Sequence, residues 1–138
     1  MAASKRFYRA ALAPLGYGVV MEFPDAIGLG AEGKPDFWLT PGEPGTTSHI
    51  AFRCESREPV DKFHAAALAA GARDNGAPGL RSHYHPNYYG AFALDLDGNN
   101  IEVVCHRGAM AKKAKTRKPA AKKAKPKGGK SKKKARGR

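Results

Sequence analysis

The spacing of apolar residues predicts two helices and a series of short strands in the first hundred residues. One helix is predicted over 5–13, with Ser4 as its N-terminal cap. A second helix is predicted to run to Ala70, with Glu58 or Ser56 as its cap. The predicted strands are the β-rich segments 17–23, 26–31, 36–40, 49–54, 88–94 and 101–105. The stretch 71–86, between the second helix and the strand 88–94, is predicted to be rich in loops.

Two stretches of the chain repeat each other. Residues 5–12, KRFYRAAL, return as residues 61–68, DKFHAAAL, at an offset of 56 residues. A period of this length is typical of one supersecondary unit used twice. The second helix follows the strand-like run 49–53, and the same offset places the matching strand of the first copy before Met1. We interpret the chain as a duplicated unit whose first copy lacks its opening strand.

The missing strand has two possible interpretations. The first copy would expose a sheet edge, and such an edge invites pairing with another chain, so a homodimer is expected to cover it. Alternatively, Met1 is an internal start, and the natural protein begins some tens of residues earlier.

Alternation assigns the two faces of the predicted sheet. In the strands 49–54 and 101–105, every second residue is apolar and is predicted to pack under the helices. The opposite face of these strands carries His49, Arg53, Glu102 and His106. A sheet covered by helices on one face and polar on its concave face has the shape of a ligand-binding cradle.

Charge divides the chain into two parts. Residues 1–106 hold 9 Lys and Arg against 12 Asp and Glu, a net charge of −3. Residues 107–138 hold 16 Lys and Arg and no acid, and they have no aromatic or branched aliphatic side chain. Such a segment buries too little apolar surface to offset the entropy of ordering, so 107–138 is predicted to be a disordered tail after a single domain, 1–106.

The N-terminal region has no apolar run long enough for a signal peptide or a membrane span. Cys54 and Cys105 lie inside apolar strand-like runs and are expected to be reduced, buried thiols of a cytoplasmic protein, with a disulfide as the alternative.

Three groups of residues follow one another along residues 4–106. They are Phe7-Tyr8 with Ala11-Leu12 and Leu15-Gly16, then His49-Ile50-Ala51-Phe52, and last Asp95-Leu96-Asp97-Gly98-Asn99-Asn100-Ile101-Glu102. This order resembles the vicinal oxygen chelate superfamily, which includes glyoxalase I, bleomycin- and fosfomycin-resistance proteins and extradiol dioxygenases. The resemblance implies an α+β fold of two βαβββ modules, 1–45 and 46–106, that form a curved mixed sheet, the first module without its opening strand.

The resemblance also implies a divalent metal held by the first and last strands of each module. In the second module those positions match His49 and Glu102, which suit Zn²⁺, Ni²⁺, Fe²⁺ or Mn²⁺. Glu102 would then be a ligand and a candidate proton shuttle in catalysis. The first module has Phe37 and Trp38 where a ligand is expected. The alternative for the His49–Glu102 pair is a buried histidine–carboxylate hydrogen bond that orders the cavity floor.

Several further residues are candidates for contact with a substrate. His83 and His85 form an H-x-H pair that can chelate, or else they belong to an aromatic cavity wall. The remaining candidates for binding a substrate are Trp38, Arg53, Tyr88 and Tyr89.

Three functions remain open at this stage. The chain is either a metal-dependent lyase, isomerase or dioxygenase, or a metal-free binder of small molecules of the bleomycin-resistance type, or a nucleic-acid-associated protein. The tail resembles the lysine-rich tails of linker histones, and its cations would bind phosphates without reading bases. The lysines proposed for this contact are Lys112, Lys113, Lys115, Lys122, Lys123, Lys125, Lys132, Lys133 and Lys134.

Overall fold

The computed structural model describes residues 1–43 and 45–109, so most of the predicted tail, including its proposed nucleic-acid-binding lysines, lies outside the described residues. Two helices, a short 3-10 turn and seven strands follow one another along these residues. They are α1 Ala2–Ala11, the turn Ala13–Leu15, β1 Gly18–Phe23, β2 Ala26–Ala31, β3 Lys34–Leu39, β4 His49–Cys54, α2 Glu58–Ala69, β5 Arg73–Leu80, β6 Tyr89–Leu94 and β7 Asn100–Cys105.

The strands form two sheets. The first has the order β1-β2-β3, with both pairs antiparallel. The second has the order β4-β7-β6-β5, in which β4 runs parallel to β7 and the other pairs are antiparallel. The predicted α+β class with two repeated units is therefore confirmed. Within the described residues, β3 has no counterpart of β4 along its outer edge.

The two helices share one apolar core with the sheets. Phe7 of α1 and Phe63 of α2, which are equivalent in the repeat, are both buried in this core. Ile101, Val103 and Cys105 of β7 are fully buried on the same side, as their alternation predicts. Consequently β7 turns its even-numbered residues toward the other face of the sheet.

The boundaries of the elements correct several predictions. Helix α1 begins at Ala2 and not after Ser4, and Arg57 precedes the first residue of α2. Neither helix has a side-chain cap, so the predicted caps by Ser4 and by Glu58 or Ser56 are wrong. Strand β5 occupies Arg73–Leu80, inside the stretch predicted to be loop-rich.

Strand β5 forms in spite of its glycines and proline because it lies at the edge of its sheet. An edge strand tolerates Pro78, and its pairing with β6 shifts register on both sides of Gly76. Gly76 has φ +149°, and a Cβ there would lie 3.0 Å from Cδ2 of Phe92. Glycine at position 76 therefore avoids backbone strain, and a larger residue there would crowd the Phe92 ring.

Cys54 and Cys105 lie opposite each other in β4 and β7 as free thiols, Cys105 buried and Cys54 half-buried. Burial raises the pKa of the Cys54 thiol to about 11.

Neither helix among residues 1–43 and 45–109 has the length and apolar character needed to cross a membrane.

The turn between β6 and β7 ties the two units together through Asp95. Its carboxylate accepts hydrogen bonds from the backbone N–H groups of Asp97 and Asn99 at 2.9 and 2.8 Å. It also accepts the hydroxyl of Tyr8, which belongs to α1 and is buried. Burial, followed by this hydrogen bond, raises the pKa of Tyr8. One buried side chain therefore fixes the turn and the first helix together.

We predict that Asp95→Ala lowers the free energy of unfolding by about 3 kcal/mol, because it leaves the buried Tyr8 hydroxyl and the partly buried donors of the turn without an acceptor. The matched variant Tyr8→Phe removes only one donor and should cost about 1 kcal/mol. Chemical denaturation followed by circular dichroism measures both values. Equal losses in the two variants would contradict the role of Asp95 as the common acceptor.

Candidate functional site

A cavity of about 460 Å³ opens on the face of the second sheet away from the helices. Strands β4, β6 and β7 supply its floor, and the segment 81–88, which joins β5 to β6, supplies its wall. Its lining residues are His49, Tyr84, His85, Tyr88, Phe92 and Glu102. Four of the predicted site residues, His49, His85, Tyr88 and Glu102, therefore come together here.

Glu102 is the buried acid at the floor of this cavity. Its side chain is only 3% exposed, because β7 lies between β4 and β6 in the sheet. Burial of a carboxylate without hydrogen-bond donors is strongly unfavourable. Both of its oxygens have a partner: the hydroxyl of Tyr88 donates to Oε1, and Nε2 of His49 lies 2.9 Å from Oε2.

The two partners of Glu102 differ in their exposure to solvent. The side chain of His49 is 54% exposed, so its ring connects the buried carboxylate with the outside of the cavity. Because a carboxylate oxygen only accepts, this contact places the donor hydrogen on Nε2 of His49. The hydrogen bond of the alternative proposed from the sequence is present, but only Glu102 of the pair is buried.

Tyr88 is held as a hydrogen-bond donor. Burial, and next the hydrogen bond to Glu102, raise the pKa of the Tyr88 phenol above its ordinary value. Space for this contact comes from Gly90 in β6. A Cβ at Gly90 would lie 3.2 Å from Cε1 of Tyr88 and 3.4 Å from Oε1 of Glu102.

The segment 81–88 folds its aromatic side chains over the cavity. Nε2 of His85 and Nδ1 of His106 lie 2.8 Å apart, so that one ring donates and the other accepts. The Tyr88 ring meets His106 edge to face at 5.2 Å and Tyr84 in a tilted contact at 4.9 Å. His106, which follows the last residue of β7, therefore anchors this segment.

Four other predicted residues lie outside the cavity. Trp38 is in the first sheet and stacks on Phe23 at 6.4 Å. The hydroxyl of Tyr89 donates to Asp61 of α2 at 2.7 Å, on the helix side of the sheet. Arg53 and His83 are exposed, and neither lines the cavity.

Sequence reasoning missed Phe92 and Tyr84 as lining residues. Phe92 stands opposite Glu102 in the pairing of β6 with β7. The signal was present, because Ala91 and Ala93 are apolar core residues and alternation places Phe92 on the other face. Tyr84 lies between the two histidines of the H-x-H pair, which drew attention away from it.

The described residues do not complete a metal site by themselves. His49 and Glu102 have suitable donor atoms, but they are two ligands, and proteins usually supply at least three for zinc. Both oxygens of Glu102 already accept hydrogen bonds. Among residues 1–43 and 45–109, no three His, Cys, Asp or Glu side chains form a group that could hold a metal ion.

We predict that Glu102→Gln lowers the pKa of Tyr88 toward its ordinary value, because the negative charge beside the phenol is removed. Absorbance of tyrosinate during an alkaline titration measures this shift. The raised pKa means that the contribution of Tyr88 to stability is complete below the ordinary phenol pKa and is lost as the pH rises toward the folded value.

Asp61→Asn provides the matched control, since Asp61 accepts from Tyr89 and its hydrogen bond raises the pKa of that residue. This control should move the titration of Tyr89 and leave Tyr88 unchanged. An unaltered titration curve in Glu102→Gln would contradict the assignment of Glu102 as the acceptor of Tyr88.

Comparison with solved structures identifies the fold. A glyoxalase/bleomycin resistance protein from Albidiferax ferrireducens T118 is 30% identical, with a TM-score of 0.65, and the match covers 76% of this chain and 88% of that one. A glyoxalase/bleomycin resistance protein/dioxygenase family enzyme from Burkholderia phytofirmans PsJN is 24% identical, with a TM-score of 0.59, over 77% and 90% of the two chains.

A lactoylglutathione lyase from Agrobacterium tumefaciens has the same fold at 18% identity, with a TM-score of 0.53 over 75% of this chain and 84% of that chain. No family model matches the sequence, and no curated protein matches it. The identity and coverage of the Albidiferax structure, together with the shared fold, confirm the resemblance predicted from the sequence. The chain belongs to the glyoxalase/bleomycin resistance protein family.

Proposed function

We propose that the protein binds a small organic molecule in the cavity between His49 and Phe92. The observation that carries this proposal is a buried carboxylate, Glu102, at the floor of a cavity walled by aromatic rings. Pockets of this kind, mostly apolar with a few converging polar groups, are typical of small-molecule sites.

The aromatic wall provides the contact area for such a ligand. Tyr84, Tyr88 and Phe92 offer ring faces and edges, which favour a flat or aromatic molecule. Glu102 would orient the ligand, because each carboxylate oxygen can accept more than one hydrogen bond. A donor group on the ligand could bind beside Tyr88 or take the place of His49, whose side chain is 54% exposed.

We predict that a thermal-shift screen which includes bleomycin and lactoylglutathione finds ligands whose affinity depends on this cavity. Phe92→Ala should weaken their binding about tenfold, because it removes an aromatic contact of order 1 kcal/mol and its buried area. Glu102→Gln should weaken ligands that donate a hydrogen bond to the floor. Isothermal titration calorimetry measures each affinity.

A third variant, Tyr88→Phe, removes the hydroxyl that Glu102 accepts at the cavity. Its matched control is Tyr89→Phe, because Tyr89 is the next residue and lies on the opposite face of the sheet. Only Tyr88→Phe should alter ligand affinity. Ligands that bind equally well to all cavity variants, or a screen in which nothing stabilises the protein, would remove the proposal.

A second candidate function, favoured by the nitrogen and oxygen donors of His49 and Glu102, is metal-dependent lyase, isomerase or dioxygenase chemistry. The pair would need a further ligand from a second copy of the chain, and a homodimer could supply one. In either case Glu102 is the candidate acceptor for a proton from a bound substrate, because it is the buried acid at the floor of the cavity.

We predict that purified protein incubated with Zn²⁺, Ni²⁺, Fe²⁺ or Mn²⁺ retains less than one metal ion per chain after desalting, because two side chains bind weakly. Elemental analysis measures the content, with His49→Ala as the control for binding elsewhere. Retention of one equivalent by the wild type, lost in His49→Ala, would instead establish the metal-dependent candidate.

A third candidate function rests on the charge of the tail, residues 107–138, whose net charge is +16. We propose that this segment holds the protein on DNA or RNA through phosphate contacts alone. Full-length chain should retard a nucleic acid of any sequence in a gel at low salt, and the retardation should disappear as salt rises. Equal retardation by a variant ending at His106 would reject the proposal.

A further inference from the structure

The guanidinium group of Arg81 lies at the edge of the cavity that contains Glu102. It is next to Phe92, one of the lining residues, and its Cζ stands 5.7 Å from the centroid of the Phe92 ring. Arg81 is half-buried, and its Nη2 donates to the carbonyl of Ala77 at 2.7 Å. These contacts hold the cation over β5, which forms the edge of the sheet opposite to β4 and His49.

Two glycines of β5 make room for the guanidinium group. A Cβ at Gly79 would lie 2.9 Å from Nη1 of Arg81, and a Cβ at Gly76 would lie 3.4 Å from Nη2. A side chain at either position would therefore crowd the cation where it lies beside Phe92. Glycine inside a strand often marks a place where another group approaches the backbone closely. Here the bare backbone of β5 accommodates a cation beside the cavity.

Arg81 keeps donors for a ligand. A guanidinium group has several N–H donors, and only one contact of Arg81, with Ala77, is a hydrogen bond among the described residues. No carboxylate of residues 1–43 and 45–109 forms an ion pair with Arg81, whereas Arg107 is paired with Glu55. A half-buried cation of this kind beside a cavity favours a ligand with an anionic group.

The register of the strands places Phe92 between the acid and the cation. Glu102 of β7 is paired with Phe92 of β6, and Phe92 is paired with Gly76 of β5. Adjacent strands are about 4.8 Å apart, so the guanidinium over β5 lies about 10 Å from the strand of Glu102. A flat molecule on the Phe92 ring can therefore turn a hydrogen-bond donor toward Glu102 and an anionic group toward Arg81.

We infer that the cavity takes a flat aromatic carboxylate, with the carboxylate group on Arg81 and a hydrogen-bond donor directed to Glu102. Guanidinium and carboxylate groups form paired, parallel N–H···O bonds, a contact that the planar fork of arginine suits better than lysine. The like charge of Glu102 keeps the carboxylate end of the ligand away from the floor and so fixes its orientation. This inference rests on the proposed function, because it names the ligand class of the same cavity.

Matched pairs of probes test this inference on the full-length protein. Indole-3-acetate and 4-hydroxyphenylacetate are flat carboxylates with a hydrogen-bond donor on the ring, and their neutral amides have the same shape. Isothermal titration calorimetry should show each carboxylate binding at least about tenfold more tightly than its amide, because charge-assisted hydrogen bonds are stronger than neutral ones. Arg81→Met should abolish this preference and change the amide affinities by less than about twofold, since its stem still packs on Phe92. Arg9→Met, the same substitution at an exposed position of α1, is the matched control and should bind all four probes as the wild type does.

Each contrary result would overturn the inference in a way that is distinct from failure of the proposed function. Equal affinity of the wild type for carboxylate and amide would mean that no cation selects the ligand, while binding that is lost in Phe92→Ala would still support the cavity. Equal weakening of carboxylate and amide in Arg81→Met would make Arg81 a structural residue of the cavity edge. If none of the four probes binds, the inference is wrong, and the proposed function stands only if the thermal-shift screen yields another ligand that depends on Phe92.

Discussion

Burial of one carboxylate constrains the whole cavity. Glu102 occupies the middle of β7, where the sheet shields it from water, and an acid in such a place needs donors for both oxygens. Tyr88 and His49 provide them from opposite sides. Tyr88 in turn fixes the end of the segment 81–88, so the same hydrogen bonds that satisfy the acid also hold the aromatic wall in place.

A second buried acid performs the corresponding task between the two units. Asp95 closes the turn before β7 and accepts the hydroxyl of Tyr8 from α1. The turn, and with it the start of β7, is therefore fixed relative to the first helix, while Phe7 and Phe63 pack in the common core. The duplicated helices thus stabilise the sheet from one face, and the opposite face is left for ligand contact.

The sequence was sufficient for the repeat, the fold class and the two residues at the floor of the cavity. Alternation alone placed His49 and Glu102 on one face, and the family resemblance placed their strands side by side. The sequence was not sufficient for β5, because glycine and proline at positions 76 and 78 are typical of loops. They are tolerated here because β5 is an edge strand with an irregular register. Trp38 and Tyr89 were grouped with the cavity because side-chain type does not reveal which sheet or face a residue occupies.

Hydrogen exchange in the segment 81–88 tests most directly whether Glu102 holds the cavity wall. The N–H of Arg81 donates to the carbonyl of Tyr88 at 2.7 Å, so its exchange reports closure of the segment. Tyr88→Phe, which removes only the hydroxyl that Glu102 accepts, should accelerate exchange of the Arg81 amide about tenfold while the amides of β7 keep their protection. If the Arg81 amide of Tyr88→Phe exchanges at the wild-type rate, the segment 81–88 keeps its conformation without the hydrogen bond to Glu102. That result would contradict the account.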